Sequence, residues 1–272
     1  MAFDPLARWY QEWSLTPVDQ LQAGAWPVHS VMTATGELAV LKSCPPGRSL
    51  ARQAAALRAF DGRACARLIA CAPNNRALLL EHISPGDTAA QFWPDDDHAA
   101  VEVFACVVAA LHRPATTDQR GEQPSTAARL RPVLRRDRSA RRLFVALRAA
   151  ARDTPAVVLH GDLHHHNLLR THRAPGWLAI DPHGEIGDPA REAGQFLGNP
   201  FGLLALPDAA LVLRRRVGWV AEACGWDPWR VAGWASLQAR LALAWFAEDN
   251  QRPPPGLDRV MDALEPLLRR GG

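Results

Sequence analysis

Between Val157 and Pro189 the chain reads VVLHGDLHHHNLLRTHRAPGWLAIDPHGEIGDP, and few folds accommodate such a stretch. An apolar run, Val157-Val158-Leu159, meets Gly161 and presents Asp162. Asn167 follows five residues later, and a second apolar run, Trp177-Leu178-Ala179-Ile180, delivers Asp181 fourteen residues after that. Short apolar runs bounded by glycine and polar residues read as buried strands. Oxygen-bearing side chains at their ends suit a site in which one carboxylate orients a hydroxyl while an amide and a second carboxylate hold Mg²⁺.

The chain ahead of this stretch is strand-rich. Leu6, Trp9, Tyr10 and Trp13 recur at helical spacing and predict an amphipathic helix over Asp4–Trp13. Val28–Met32 and Leu38–Lys42 flank a Thr/Gly turn and predict a hairpin whose second strand ends in A-V-L-K. A helix is expected over Leu50–Phe60, then strands over Ala64–Cys71 and Ala77–Ile83. About five strands and one helix would form a small lobe, with Ser84-Pro85-Gly86-Asp87 as the boundary turn. Residues 1–83 and 84–272 are therefore expected to be separate lobes, giving an α+β, two-lobed architecture with a larger, mostly helical second part.

In that second part apolar periodicity predicts a helix over His98–His112, with Asp95-Asp96-Asp97 as an acidic cap. A loop follows over Arg113–Thr126, and one Arg-laden helix is expected over Ala127–Arg152. Helices are also expected over Asp208–Cys224, Asp227–Glu248 and Leu257–Leu268, separated by glycine and proline.

Composition narrows the function classes. A net charge of +3 gives no reason to expect nucleic acid as a partner. Five cysteines without a C-x-x-C spacing predict free thiols in a reducing compartment. The start, MAFDPLARWYQEW, lacks the pattern of a signal peptide, and apolar stretches such as Val101–Leu111 are too short to span a bilayer. A cytoplasmic protein without membrane partners is expected. No G-x-x-x-x-G-K-[ST] occurs, and no G-x-G-x-x-G precedes Lys42.

The strings HGDLHHHN and IDPHGEIGDP, with Asn199-Pro200 nearby, resemble the paired motifs of the aminoglycoside phosphotransferases, above all the streptomycin and hydroxyurea resistance kinase group. The resemblance implies a protein-kinase-like fold and transfer of phosphate from ATP, with Mg²⁺, to a small-molecule hydroxyl. It makes Asp162 the catalytic aspartate, Asn167 and Asp181 the metal ligands, and Lys42 the contact to the phosphates. His160 becomes a structural residue of the loop, and Asp188 the cap of the following helix. Glu81-His82-Ile83 would be the hinge, with Glu81 and Ile83 offering backbone groups to adenine. Two departures stand out: Gln53 lies where a glutamate partner for Lys42 is expected, and Glu192, not Asp, follows G-D-P.

Two alternatives stay open. Six of the ten histidines lie between His160 and His183, which admits a zinc site, although no H-E-x-x-H is present. A catalytically silent nucleotide-binding module is the other, suggested by Gln53. The acceptor is open too: a sugar, an amino alcohol or a hydroxyurea-like compound would be neutral or weakly charged, whereas a polycationic aminoglycoside such as streptomycin needs carboxylates. Glu185, Glu192, Glu248 and Asp249 are the candidates.

Overall fold

The computed structural model describes residues 6–21 and 26–269. Helix α1 (Ala7–Glu12) turns Leu6 and Trp9 onto Val31, Ala39, Leu41 and Leu79 of the sheet beneath it. Asp4 and Pro5 of the expected helix lie outside the described residues. That sheet has five antiparallel strands: β1 (Thr16–Gln20), β2 (Val28–Met32), β3 (Leu38–Ser43), β4 (Leu68–Cys71) and β5 (Ala77–Glu81), in the order β1-β2-β3-β5-β4. Helix α2 (Ala51–Phe60) packs Ala54, Ala56, Leu57 and Phe60 into the core. Strand β1 has no apolar alternation to announce it; it is an exposed edge with a bulge between Pro17 and Asp19, where proline is tolerated.

Strand β4 is shorter than expected because Ala64–Ala66 leaves this sheet. Ala66 N–H donates to Ala179 and Ala179 N–H to Ala64, tying the first half of the chain to the strand that delivers Asp181. After β5 the pairing partner changes. Strand β6 (Pro85–Thr88) joins β8 (Leu168–Thr171) and β9 (Trp177–Ala179), while β7 (Val157–Leu159) pairs with β10 (Glu185–Gly187).

The remainder is helical: α3 (Asp97–Leu111), α4 (Thr117–Glu122), α5 (Thr126–Arg136), α6 (Arg138–Ala150), α7 (Ala193–Leu197), α8 (Ala209–Cys224), α9 (Pro228–Glu248) and α10 (Val260–Arg269). The expected loop at 113–126 contains α4, started by a capping box between Thr116 and Gln119. The single helix expected over 127–152 is two. Asp137 accepts from the Ser139 and Ala140 amides and caps α6, while also pairing with Arg240 of α9. In the acidic triplet Asp96 caps α3, but Asp97 is buried against Arg216. One apolar core continues from α2 through α3 and α5–α10, so the two halves share it. No helix among the described residues is long and apolar enough to cross a membrane.

Candidate active site

The loop after β7 is built by its own backbone. Gly161 adopts φ +78°, a conformation L side chains avoid, and this reverses the chain so that Asp162 leaves the strand toward the cleft. His160 is fully buried beneath. The Asp162 amide donates to His160 Nδ1 at 3.3 Å, so Nε2 carries the proton and donates to the Ile180 carbonyl at 2.7 Å. The His160 carbonyl accepts from the His183 and Gly184 amides. The imidazole thereby couples the two motif segments.

Asn167 ends a 3-10 turn over His165–Asn167. Its Nδ2 donates to the Asp162 carbonyl at 2.9 Å and lies 3.4 Å from Asp162 Oδ2, so the amide oxygen Oδ1 is the atom left for a cation. Asp181 sits at φ +57°, a left-handed conformation that aspartate tolerates better than most residues and that turns its carboxylate back over the loop. Its Oδ1 accepts from Lys42 Nζ at 2.7 Å and Gln53 Nε2 at 3.0 Å. Burial pushes the Asp181 carboxyl up, but the Lys42 ammonium and the two donors outweigh it and hold the group below the ordinary range. Lys42, the only lysine in the chain, thus takes Asp181 as its acidic partner, and Gln53 steadies Asp181.

Lys42, Gln53, Asp162, Asn167 and Asp181 converge on one cleft of about 450 Å³, joined by Arg129, His164 and His183. His164 and His183 stand 3.8 and 3.7 Å from Asp162 Oδ2. Burial holds the His164 imidazole below the usual histidine range, whereas the His183 side chain is half exposed. Among the described residues no three His, Cys, Asp or Glu side chains are grouped to hold a metal ion. His165 is instead stacked on Phe196 inside the core, and His166 and His172 are exposed. The zinc alternative therefore loses its ligand set.

Several expected site residues are placed elsewhere. Glu192 is buried under the loop, where Oε2 accepts from the His160 amide at 2.7 Å and Oε1 from the Gly161 amide at 2.8 Å; His112 lies 3.3 Å away. Burial raises its carboxyl, yet His112, His160 and the amide donor lower it further, so it stays charged as a brace for the loop. Glu185 is fully buried, facing Arg129 at 3.8 Å and Arg191 at 3.5 Å. Glu248 is exposed beside Arg136, and Asp249 caps the end of α9. None of the four lines the cleft.

Glu81 and Ile83 also lie outside it. The Glu81 amide donates to Arg67, its carboxylate pairs with Arg173, and Ile83 packs on Ala66 and Leu178. With its N–H engaged, Glu81 has no amide donor left for an adenine edge. Arg129, Arg191, Gln195 and Gln238 escaped the sequence reading. Gln238 did carry a signal, an amide on the buried side of an apolar helix.

Residues 9–250 match the family described as aminoglycoside/hydroxyurea antibiotic resistance kinase. The chain belongs to this family. It is accordingly a small-molecule kinase. A streptomycin 6-kinase of Streptomyces glaucescens is 32% identical, over 94% of this chain and 86% of that protein. A hydroxyurea phosphotransferase of Kitasatospora aureofaciens is 31% identical, over 98% and 79%. Among solved structures, an amicoumacin kinase bound to AMP-PNP and Ca²⁺ superposes with a TM-score of 0.65 at 12% identity, over 99% of this chain and 94% of that one. The kinase therefore has the protein-kinase-like fold, with the five-stranded sheet in its N-terminal part and a mostly helical C-terminal part.

Proposed function

We propose that the kinase uses ATP and Mg²⁺ to phosphorylate a hydroxyl of a small molecule. The observation that carries this reading is the convergence of Asp162, Asn167 and Asp181 on one cleft with Lys42 against them. The donor set suits the metal: a carboxylate and an amide oxygen are hard ligands, and Mg²⁺ takes one or two from protein and the rest from phosphate and water. Bound Mg²⁺ supplies positive charge against the charge that spreads over the phosphate oxygens. Lys42 neutralises Asp181 until nucleotide arrives and then has phosphate oxygens as further partners. Asp162 Oδ2 faces the cleft and accepts a hydrogen bond from the acceptor hydroxyl, orienting it and taking its proton late in the transfer. Residues 1–83 would hold the nucleotide and 84–272 the acceptor.

For the acceptor, kinship points to an aminoglycoside such as streptomycin, with a small neutral hydroxyl compound such as hydroxyurea as the second reading. The second gains weight from the cleft wall, where Arg52 and Arg129 stand and, among the described residues, Asp162 and Asp181 are the carboxylates that line it. Purified protein with ATP, Mg²⁺ and a panel containing streptomycin, hydroxyurea and small sugar alcohols should release ADP in an acceptor-dependent, saturable way. No ADP above background with any acceptor, or an Asp162→Ala protein as active as the wild type, would overturn the proposal and favour a silent nucleotide-binding module.

A further inference from the structure

Asp162 is held from behind by a chain of side chains that runs from the half-buried Gln195 to the buried Gln238 and Arg191. Its Oδ1 accepts from Gln195 Nε2 at 2.5 Å. Gln195 Oε1 accepts from Gln238 Nε2 at 2.8 Å, and Gln238 Oε1 accepts from Arg191 Nη2 at 2.7 Å. Arg191 and Gln238 are 2% and 3% exposed, and Arg191 is anchored by the buried Glu185.

The two ends of this chain decide its direction. A guanidinium only donates hydrogen bonds, and an ionised carboxylate only accepts them. Two amides in series between such ends have a single arrangement in which every bond is made. A lone glutamine amide is easily turned over, but here turning either one leaves two donors or two acceptors face to face. Arg191 therefore dictates that Gln195 presents an N–H to Asp162.

The packing is built for this approach. At Gly194, next to Gln195, a Cβ would lie 2.8 Å from Arg191 Nη1 and 3.0 Å from Gln238 Cβ. Glycine there lets α7 lie against α9 closely enough for the amides to meet. With Oδ1 engaged, Oδ2 is the oxygen turned to Asn167, His164 and His183 in the cleft.

We propose that Gln195 is a positioning residue for phosphoryl transfer, one that locks the Asp162 carboxylate so that Oδ2 meets the acceptor hydroxyl, with Gln238 and Arg191 setting its polarity. This rests on the kinase reading of Asp162. Two variants test it. Gln195→Met keeps length and removes the donor. Gln238→Glu keeps the bond from Arg191 but has no N–H for Gln195, so Gln195 turns its donor inward and sets its oxygen against Asp162. With ATP, Mg²⁺ and streptomycin, or whichever panel acceptor the wild type phosphorylates, each variant should lose about 10- to 100-fold in kcat while the KM for ATP moves by no more than about two-fold. The double variant should lose no more than the worse single one.

A purely structural role predicts that Gln238→Glu, which retains its buried contact to Arg191, keeps wild-type kcat; that result overturns the proposal. A second readout needs no turnover. The Gln195 side-chain amide protons, assigned by their disappearance from the NMR spectrum of Gln195→Met, should be shifted downfield and slow to exchange. A solvent-like pair of resonances also overturns it. Wild-type protein inert toward every acceptor would refute the kinase reading, and the NMR result would still decide whether Gln195 locks Asp162.

Discussion

His165 links the loop after β7 to the acid response of the whole protein. Its ring is stacked on Phe196 at 4.3 Å, and neither ring nitrogen has a hydrogen-bond partner. Burial, reinforced by the Arg216 cation, pushes its pKa down to about 2. In the unfolded chain the same imidazole takes up a proton near pH ~6.5, so between those values the unfolded state binds more protons. Stability is therefore full above that range and falls as the pH drops into it, by about 1.4 kcal/mol per pH unit for each such group. His164, also lowered by burial, acts in the same direction. Glu192 and Asp181, held below the ordinary carboxylate range, lose their contribution only at more acid pH. The urea midpoint should fall between pH 7 and pH 5, and His165→Phe, which keeps a stacked ring, should flatten that slope. An unchanged slope would place the acid sensitivity elsewhere. At this scale Asp162, Asn167, Asp181 and Lys42 were legible because strand ends fix where their side chains emerge. The burial of Glu185 and Glu192 was not, because their partners Arg129, Arg191 and His112 arrive from elements whose packing no local pattern reports.

Between elements, the contact of α3 with α8 turns on one ion pair. Arg216 is fully buried; its Nε lies 2.9 Å from both Asp97 oxygens, and its Nη1 donates to the carbonyls of Leu197, at the end of α7, and Asn199, just beyond it. Removing one partner strands a buried charge, so Asp97→Asn should cost about 3–5 kcal/mol in urea unfolding. Asp97→Leu combined with Arg216→Met should recover only part of this, because the two carbonyls then lose their donor. A loss under about 1 kcal/mol for Asp97→Asn would mean that water reaches the pair. Sequence periodicity located α3, α8 and α9 to within a residue or two. It ran α5 and α6 together because leucines and arginines continue across Asp137, and only the cap at that residue divides them. Helix α4 was readable in principle from its Thr116–Gln119 box, which the surrounding polar residues obscured.

For the whole molecule, alternating strands followed by helical periodicity were enough to expect a β-rich lobe and a helical one. The shared core was not readable, since the packing of α2 on the helical half and the Ala64–Ala66 bridge to Ala179 are long-range choices. That bridge sets Lys42 and Asp181, 139 residues apart, within 2.7 Å of each other. If this geometry performs phosphoryl transfer, the product carries a new phosphomonoester. The most direct test is ³¹P NMR of ATP, Mg²⁺ and the acceptor panel with the wild-type protein and with Asp162→Asn. A phosphomonoester resonance should grow as ATP becomes ADP, and Asp162→Asn should slow it by about 100-fold or more. ATP persisting with every acceptor, or transfer by Asp162→Asn at the wild-type rate, would contradict the assignment of this cleft.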